Sequence, residues 1–210
     1  MARKTAKSGA AAARRAEVRL PPLSPYGGDL EPDGDYDGLE FRDLDLGGQS
    51  GPGSRFIDCA LRECGLDGTA LGRARFVDCV LTGVRGVGTD LAGASLRDVE
   101  VVDARLGGLQ LHGAVLERVL IRGGKIDYLN LRKARLKDVV FEGCVLAEPD
   151  FGGAELERVE FRDCVLRRVD LSGVRMKDVD LRTGGRVGLP RGGAAAGGGA
   201  GVRERQRRSG

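Results

Sequence analysis

The sequence predicts a solenoid, a rod of stacked coils, and three observations predict it. Stepping by five from Phe41 to Leu181 gives 29 positions, of which 27 are Leu, Phe, Ile, Val or Met, against 41% apolar residues in the whole chain. All six phenylalanines fall on this beat, and Gly51 and Gly86 are its two exceptions. A second track, two residues earlier from Leu39 to Val179, is Ala, Val, Cys, Ser, Thr or Gly at 23 of its 29 positions. A period of five matches neither the 3.6 of a helix nor the 2 of a strand, so the repeat itself is the structural unit.

The stretches LNLRKARLKDVVFEGCVL (129 to 146) and AELERVEFRDCVLRRVDLSGVRM (154 to 176) resemble pentapeptide repeats, whose unit is a small residue, a polar one, Leu or Phe, then two variable residues. Leu129-Asn130-Leu131 and Val169-Asp170-Leu171 match that unit. The resemblance covers about two-thirds of the chain. It implies an all-β solenoid, a right-handed quadrilateral β-helix of about seven four-sided coils, with disordered tails. Residues n and n+20 then stack at the strand spacing of ~4.8 Å. One inward column reads Phe41, Leu61, Leu81, Val101, Ile121, Phe141, Phe161, Leu181 and another Phe56, Phe76, Leu96, Leu116, Leu136, Leu156, Met176. Each buried Leu or Phe contributes roughly 1.5 to 3 kcal/mol before conformational entropy is set against it.

Taken in order, residues 1–20 read as a basic disordered tail, with Arg3, Lys4, Lys7, Arg14, Arg15 and Arg19 against Glu17. They hold no apolar core of the length a secretory signal needs, no segment approaches a membrane span, and a cytoplasmic location is expected. Residues 21–40, rich in Pro and Asp, read as a linker and N-terminal cap that covers the open edges of the first coil. Residues 41–183 are the rod. GGQSGPGS (47 to 54) interrupts the pattern but keeps its register, so a loose first coil is expected, firm from Phe56 onward. Gly86 should leave a gap between Leu66 and Leu106 unless Val84 or Val87 moves inward. Residues 184–210, almost all Gly, Ala and Arg, read as a second disordered tail.

Glycines recur two residues after the central one, Gly68, Gly88 and Gly108 on one corner and Gly93, Gly113, Gly153 and Gly173 on another, where tight corners need φ > 0. All five cysteines (Cys59, Cys64, Cys79, Cys144, Cys164) lie on the small inward track and read as buried free thiols. Cys59 and Cys64 stand on different faces with no inward His to join them, which disfavours zinc. No cofactor or metal is expected. A flat row of single carboxylates lacks the wrapped oxygen shell of a Ca²⁺ site. His112 points outward with no nucleophile or acid placed beside it by the repeat, so no enzyme is expected.

The outward columns carry the functional candidates. Residues 38–183 hold 22 Lys or Arg and 24 Asp or Glu, nearly balanced. Asp58, Asp78, Asp98, Asp138 and Asp178 stack on one edge as a candidate interaction edge. An Arg column (Arg42, Arg62, Arg122, Arg162, Arg182) runs beside Asp43, Glu63, Asp103 and Asp163. Ala60, Val80, Leu120 and Val140, interrupted by Glu100, form a candidate apolar stripe. The expected function is a protein-interaction rod with an unidentified partner. The resemblance supplies an alternative, since some pentapeptide repeat proteins resemble B-DNA in width and charge, bind DNA gyrase and confer quinolone resistance; a mimic needs dense negative charge, which the near balance opposes. Nucleic-acid contact through the basic tails is a weaker alternative, and no membrane partner is expected. Gyrase-binding relatives commonly end in an apolar helical segment that pairs two copies. Residues 184–210 do not read as such a segment, so the residues themselves do not call for the homodimer that the resemblance implies.

Overall fold

The computed structural model describes residues 11–181. They form sixteen parallel strands and no helix, wound as a β-solenoid in which partners are twenty residues apart from Asp35 to Asp180. The four inward columns define four faces, named here for one residue of each. Strands Arg75–Thr82, Ser95–Val102, Val115–Arg122, Arg135–Glu142 and Glu155–Arg162 start on the Phe56 face, bend at their fourth residue and continue on the Phe41 face. The Leu46 face carries a separate five-stranded sheet of three-residue strands, from Arg85–Val87 to Val165–Arg167. The Leu71 face is held by single bridges such as Gln110↔Asn130. There Asp90, Asn130, Asp150 and Asp170 each accept a hydrogen bond from the amide two residues on, which gives the polar residue of the repeat a local role.

The inward columns are buried as their period requires. Phe41, Phe56 and Phe141 are fully enclosed, and like stacks on like: Phe56 on Phe76 with centroids 4.6 Å apart, Phe141 on Phe161 at 4.8 Å, both pairs within 2° of parallel. The small track fills the space beside them. Where it is polar, it satisfies itself on the preceding coil: Thr69 Oγ1 donates to Leu46 O, Thr89 Oγ1 to Leu66 O and Cys79 Sγ to Phe56 O, each twenty-three residues back. All five cysteines are buried free thiols. Burial pushes the Cys64 thiol up, and a bond to the stacked neighbouring thiol, with burial, pushes up Cys79 and Cys144.

Every fifth residue from Asp33 to Asp178 has positive φ. Glycine takes thirteen of these thirty corners and aspartate nine, the short side chain that tolerates the left-handed region. The Asp58 to Asp178 edge is therefore a row of corners, with φ between 50° and 57°.

The N-terminal part departs from its expected description. Residues 24–37, read as linker and cap, form a coil of the solenoid: Ser24–Tyr26 pairs with Leu39–Phe41 and Asp35–Asp37 with Arg55–Ile57. The first offset is fifteen, not twenty, so this coil is one pentapeptide short, and Tyr26 lies over Phe41 with ring centroids 4.6 Å apart and the planes tilted by 45°. The shortened coil keeps the five-residue beat, on which Tyr26 and Tyr36 fall, but breaks the twenty-residue columns, and Pro21 and Glu31 on the same beat hid it in the sequence. Nor is 47–54 loose, because Gly48, Gly51 and Gly53 donate to Asp67 O, Ala70 O and Gly72 O at 2.7–2.9 Å. Above Gly51 sits buried Leu30, so the missing side chain of that coil is supplied by the coil before it.

Gly86 leaves no gap. Val87 stays outward, 68% exposed, and backbone of the adjacent coil occupies the space, so that a Cβ on Gly86 would lie 2.6 Å from the Leu66 carbonyl carbon. Gly124 repeats the device: at φ +76° its Cβ would meet Ala104 O at 2.2 Å. Backbone cannot swing aside as a side-chain tip can, so Gly86→Leu should lose about 1 to 3 kcal/mol of stability in a denaturant melt; an increase would show a void at this level.

Candidate functional site: a strapped side of the rod

The apolar stripe lies on the outer side of the Phe41 face, one residue before the inward column. Ala60, Leu120 and Val140 are buried and Val80 is half-buried, although this side points away from the core. Part of the cover is the chain's own N-terminal segment. Residues 13–18, assigned above to a disordered tail, run along the rod axis across successive coils. Ala16, 3% exposed, packs on Leu120 and Val140, with Ala13 and Val18 at its flanks.

Acidic residues that interrupt or rim the stripe hold this strap. Ala13 N donates to Glu160 Oε1 at 2.7 Å, Arg14 N to Asp138 Oδ1 at 3.1 Å and Val18 N to Glu100 Oε1 at 3.1 Å. The Arg15 guanidinium approaches Glu142 Oε2 at 3.4 Å. The dimensions agree: Glu160 and Glu100 stand three coils apart, ~14 Å, and five extended residues reach roughly 16 Å. Charge complementarity is local, because a basic segment crosses Glu100, Asp138, Glu142 and Glu160. These carboxylates bind main-chain amides, so the contact reads extended backbone and side-chain size more than side-chain identity.

The candidate acidic edge is not a uniform row of charge. Its full column is Asp58, Asp78, Asp98, Arg118, Asp138, Arg158, Asp178. Arg118 forks onto both oxygens of Asp98 at 2.6 and 2.7 Å, and Arg158 onto both of Asp138 at 2.7 and 2.9 Å. Asp138 is enclosed, its side chain 2% exposed, and it also serves the strap. The Arg158 bond, helped by the Arg14 amide, holds its carboxyl below the usual carboxylate range. Asp78 goes the other way, pushed up by burial and by its like-charged neighbours Asp98 and Asp58. The edge thus retains Asp58, Asp78 and Asp178 as unpaired acids among the described residues, with neutral forks between them.

On the Leu46 face, beside Gly86 and Gly124, a shallow open groove of about 740 Å³ runs past Arg85, Arg105 and Lys125 with Asp67 and Asp127 on its other rim. Lys125 Nζ bonds Asp127 at 2.6 Å, so the groove is partly neutralised. His112 is exposed on the Leu71 face. Among the described residues no group of three or more His, Cys, Asp or Glu gathers in a metal-binding arrangement, and no helix is long and apolar enough to cross a membrane. The contacts made by residues 1–10 and 182–210, including the second basic tail, lie outside the described residues.

Comparison with known proteins gives the same unit. A family profile described as a pentapeptide repeat region matches residues 54–131, and one described as pentapeptide repeats in eight copies matches 128–163 and 150–182. No curated protein sequence matches the chain. Among solved structures, it is similar to HetL, a pentapeptide repeat protein involved in heterocyst differentiation regulation in the cyanobacterium Nostoc, at 18% identity over 73% of this chain and 90% of that one, TM-score 0.31. It is also similar to full-length QnrB1, a plasmid-mediated fluoroquinolone resistance protein, at 17% identity over 76% of this chain and 86% of that one, TM-score 0.38. The family profiles together span more than half of the sequence, on the residues that build the coils: this chain belongs to the pentapeptide repeat family.

Proposed function

We propose that the chain is a rigid, non-catalytic scaffold that binds a protein partner along one side of its rod. The observation that carries this reading is the Phe41 side, which holds an extended peptide segment through carboxylate-to-amide bonds over an apolar floor. A rod whose interior is filled offers recognition through its outer columns, and main-chain capture is a recurrent way for β architectures to take up peptides.

A second reading, DNA mimicry directed at gyrase, rests on the acidic edge. The forks from Arg118 and Arg158 oppose it, because they cancel charge where phosphate spacing would need it. Gyrase supercoiling measured with the full chain at micromolar excess separates the two. We expect no inhibition; salt-sensitive inhibition that disappears on changing Asp58, Asp78 and Asp178 together to Asn would replace the scaffold reading with mimicry.

The edge also yields a stability test that its position in the column alone would not suggest. Asp138 has a depressed folded pKa, so its contribution is present above the unfolded value of ~3.9 and is lost as pH falls through the folded value. Asp78 has a raised folded pKa, so its contribution is present below ~3.9 and is lost as pH rises through the folded value. At pH 7 Asp138→Ala should lower the melting temperature by roughly 5 °C or more, an effect that shrinks at low pH, while Asp78→Asn should leave it unchanged or slightly higher. Equal responses of the two variants at pH 7 would contradict these environments.

A further inference from the structure

The strap is a resident of its groove rather than part of the sheet. Every coil of the rod is tied to the next by a ladder of main-chain bonds, whereas the strap is held by three main-chain donors, one ion pair and the small side chains of Ala13, Ala16 and Val18. Its acceptors are side-chain carboxylates, which remain in place when it leaves. It is also an imperfect occupant. Glu142 Oε2 is buried without a hydrogen bond, its nearest cations being Arg15 at 3.4 Å and Arg122 at 3.7 Å. Neither guanidinium is placed for a hydrogen bond, and a better-aligned cation on the occupant would turn this ion pair into a charge-assisted hydrogen bond.

We infer that this groove is a receptor for an extended basic segment of another protein, and that residues 13–18 are the internal competitor which that segment displaces. The partner's chemistry follows from the walls: an extended chain, Ala or Val where Ala16 and Val18 sit, and an Arg or Lys that reaches Glu142. Leu120 and Val140 supply the floor, while Glu100, Asp138 and Glu160 take three of the incoming amides. The inference rests on the scaffold reading and adds to it the site, the class of partner and a built-in check on binding. Tethering keeps the strap at high local concentration, so a free segment must either outcompete it or find it released.

Release can be imposed without touching the rod. In full-length Ala16→Glu, the new carboxylate faces Leu120 and Val140 beside Glu160 and Asp138, so the strap should leave while the rod keeps its melting transition. A fluorescent peptide with the sequence of residues 11–20 is then titrated and read by anisotropy. We expect micromolar binding to Ala16→Glu, binding to the unaltered chain weaker by about tenfold or more, and loss of binding when Val140→Glu is added to Ala16→Glu. The same peptide carrying Ala16→Arg should not bind, which separates groove recognition from general attraction of a cationic peptide. No binding to Ala16→Glu up to about 1 mM, or equal binding by all three proteins, would overturn the inference. So would a concentration-dependent dimer of the unaltered chain that Ala16→Glu abolishes, since that would assign the groove to a second copy. A partner that still binds the full chain while the peptide does not would remove this groove and leave the scaffold reading in place.

Discussion

The structure depends on one constraint, the stacking of residue n on residue n+20 through parallel main-chain hydrogen bonds. From it follow both the solid interior and the outer columns. Identical apolar shapes meet at the strand spacing, Phe56 on Phe76 and Phe141 on Phe161, so packing is decided column by column. The same constraint makes any lapse local. At Gly86 the Leu66 backbone takes the place of a side chain, and at Gly51 the preceding coil lends Leu30; neither disturbs the register.

Corners are the second requirement, and they account for chemistry that looks functional in the sequence. A left-handed residue is needed every fifth position, and Asp shares that duty with Gly. A row of aspartates on one edge is therefore what this coil geometry favours before any partner is invoked. Once there, Asp98 and Asp138 are neutralised by arginines at the same corner of the next coil, a cross-coil pairing that also removes like-charge repulsion along the row.

The sequence made the interior legible because its period is long and unbroken: Phe41, Phe141, Phe161 and the cysteine track all fall where the beat puts them. It hid what departs from the twenty-residue columns. Tyr26 and Tyr36 keep the beat but belong to a coil short by five residues, and with Pro21 and Glu31 at the other beat positions that stretch resembles a linker. The strap was harder still. Ala16, Val18 and Leu20 alternate with Glu17 and Arg19, a period-two signal too short to stand out from a basic tail. The stripe of Leu120 and Val140 was visible, but Glu100 looked like an interruption and Glu160 carried no signal; they are groups that grip the strap, and only the fold brings them within reach of Val18 and Ala13.

Residues 13–18 close one side of the chain's own rod. Amide hydrogen exchange across residues 11–20 of the full chain tests it directly. Ala13, Arg14 and Val18 donate to Glu160, Asp138 and Glu100, so their amides should exchange measurably more slowly than those of Ala12, Glu17 and Arg19. Uniformly fast exchange across the segment would show that the strap does not occupy the groove and would contradict the account.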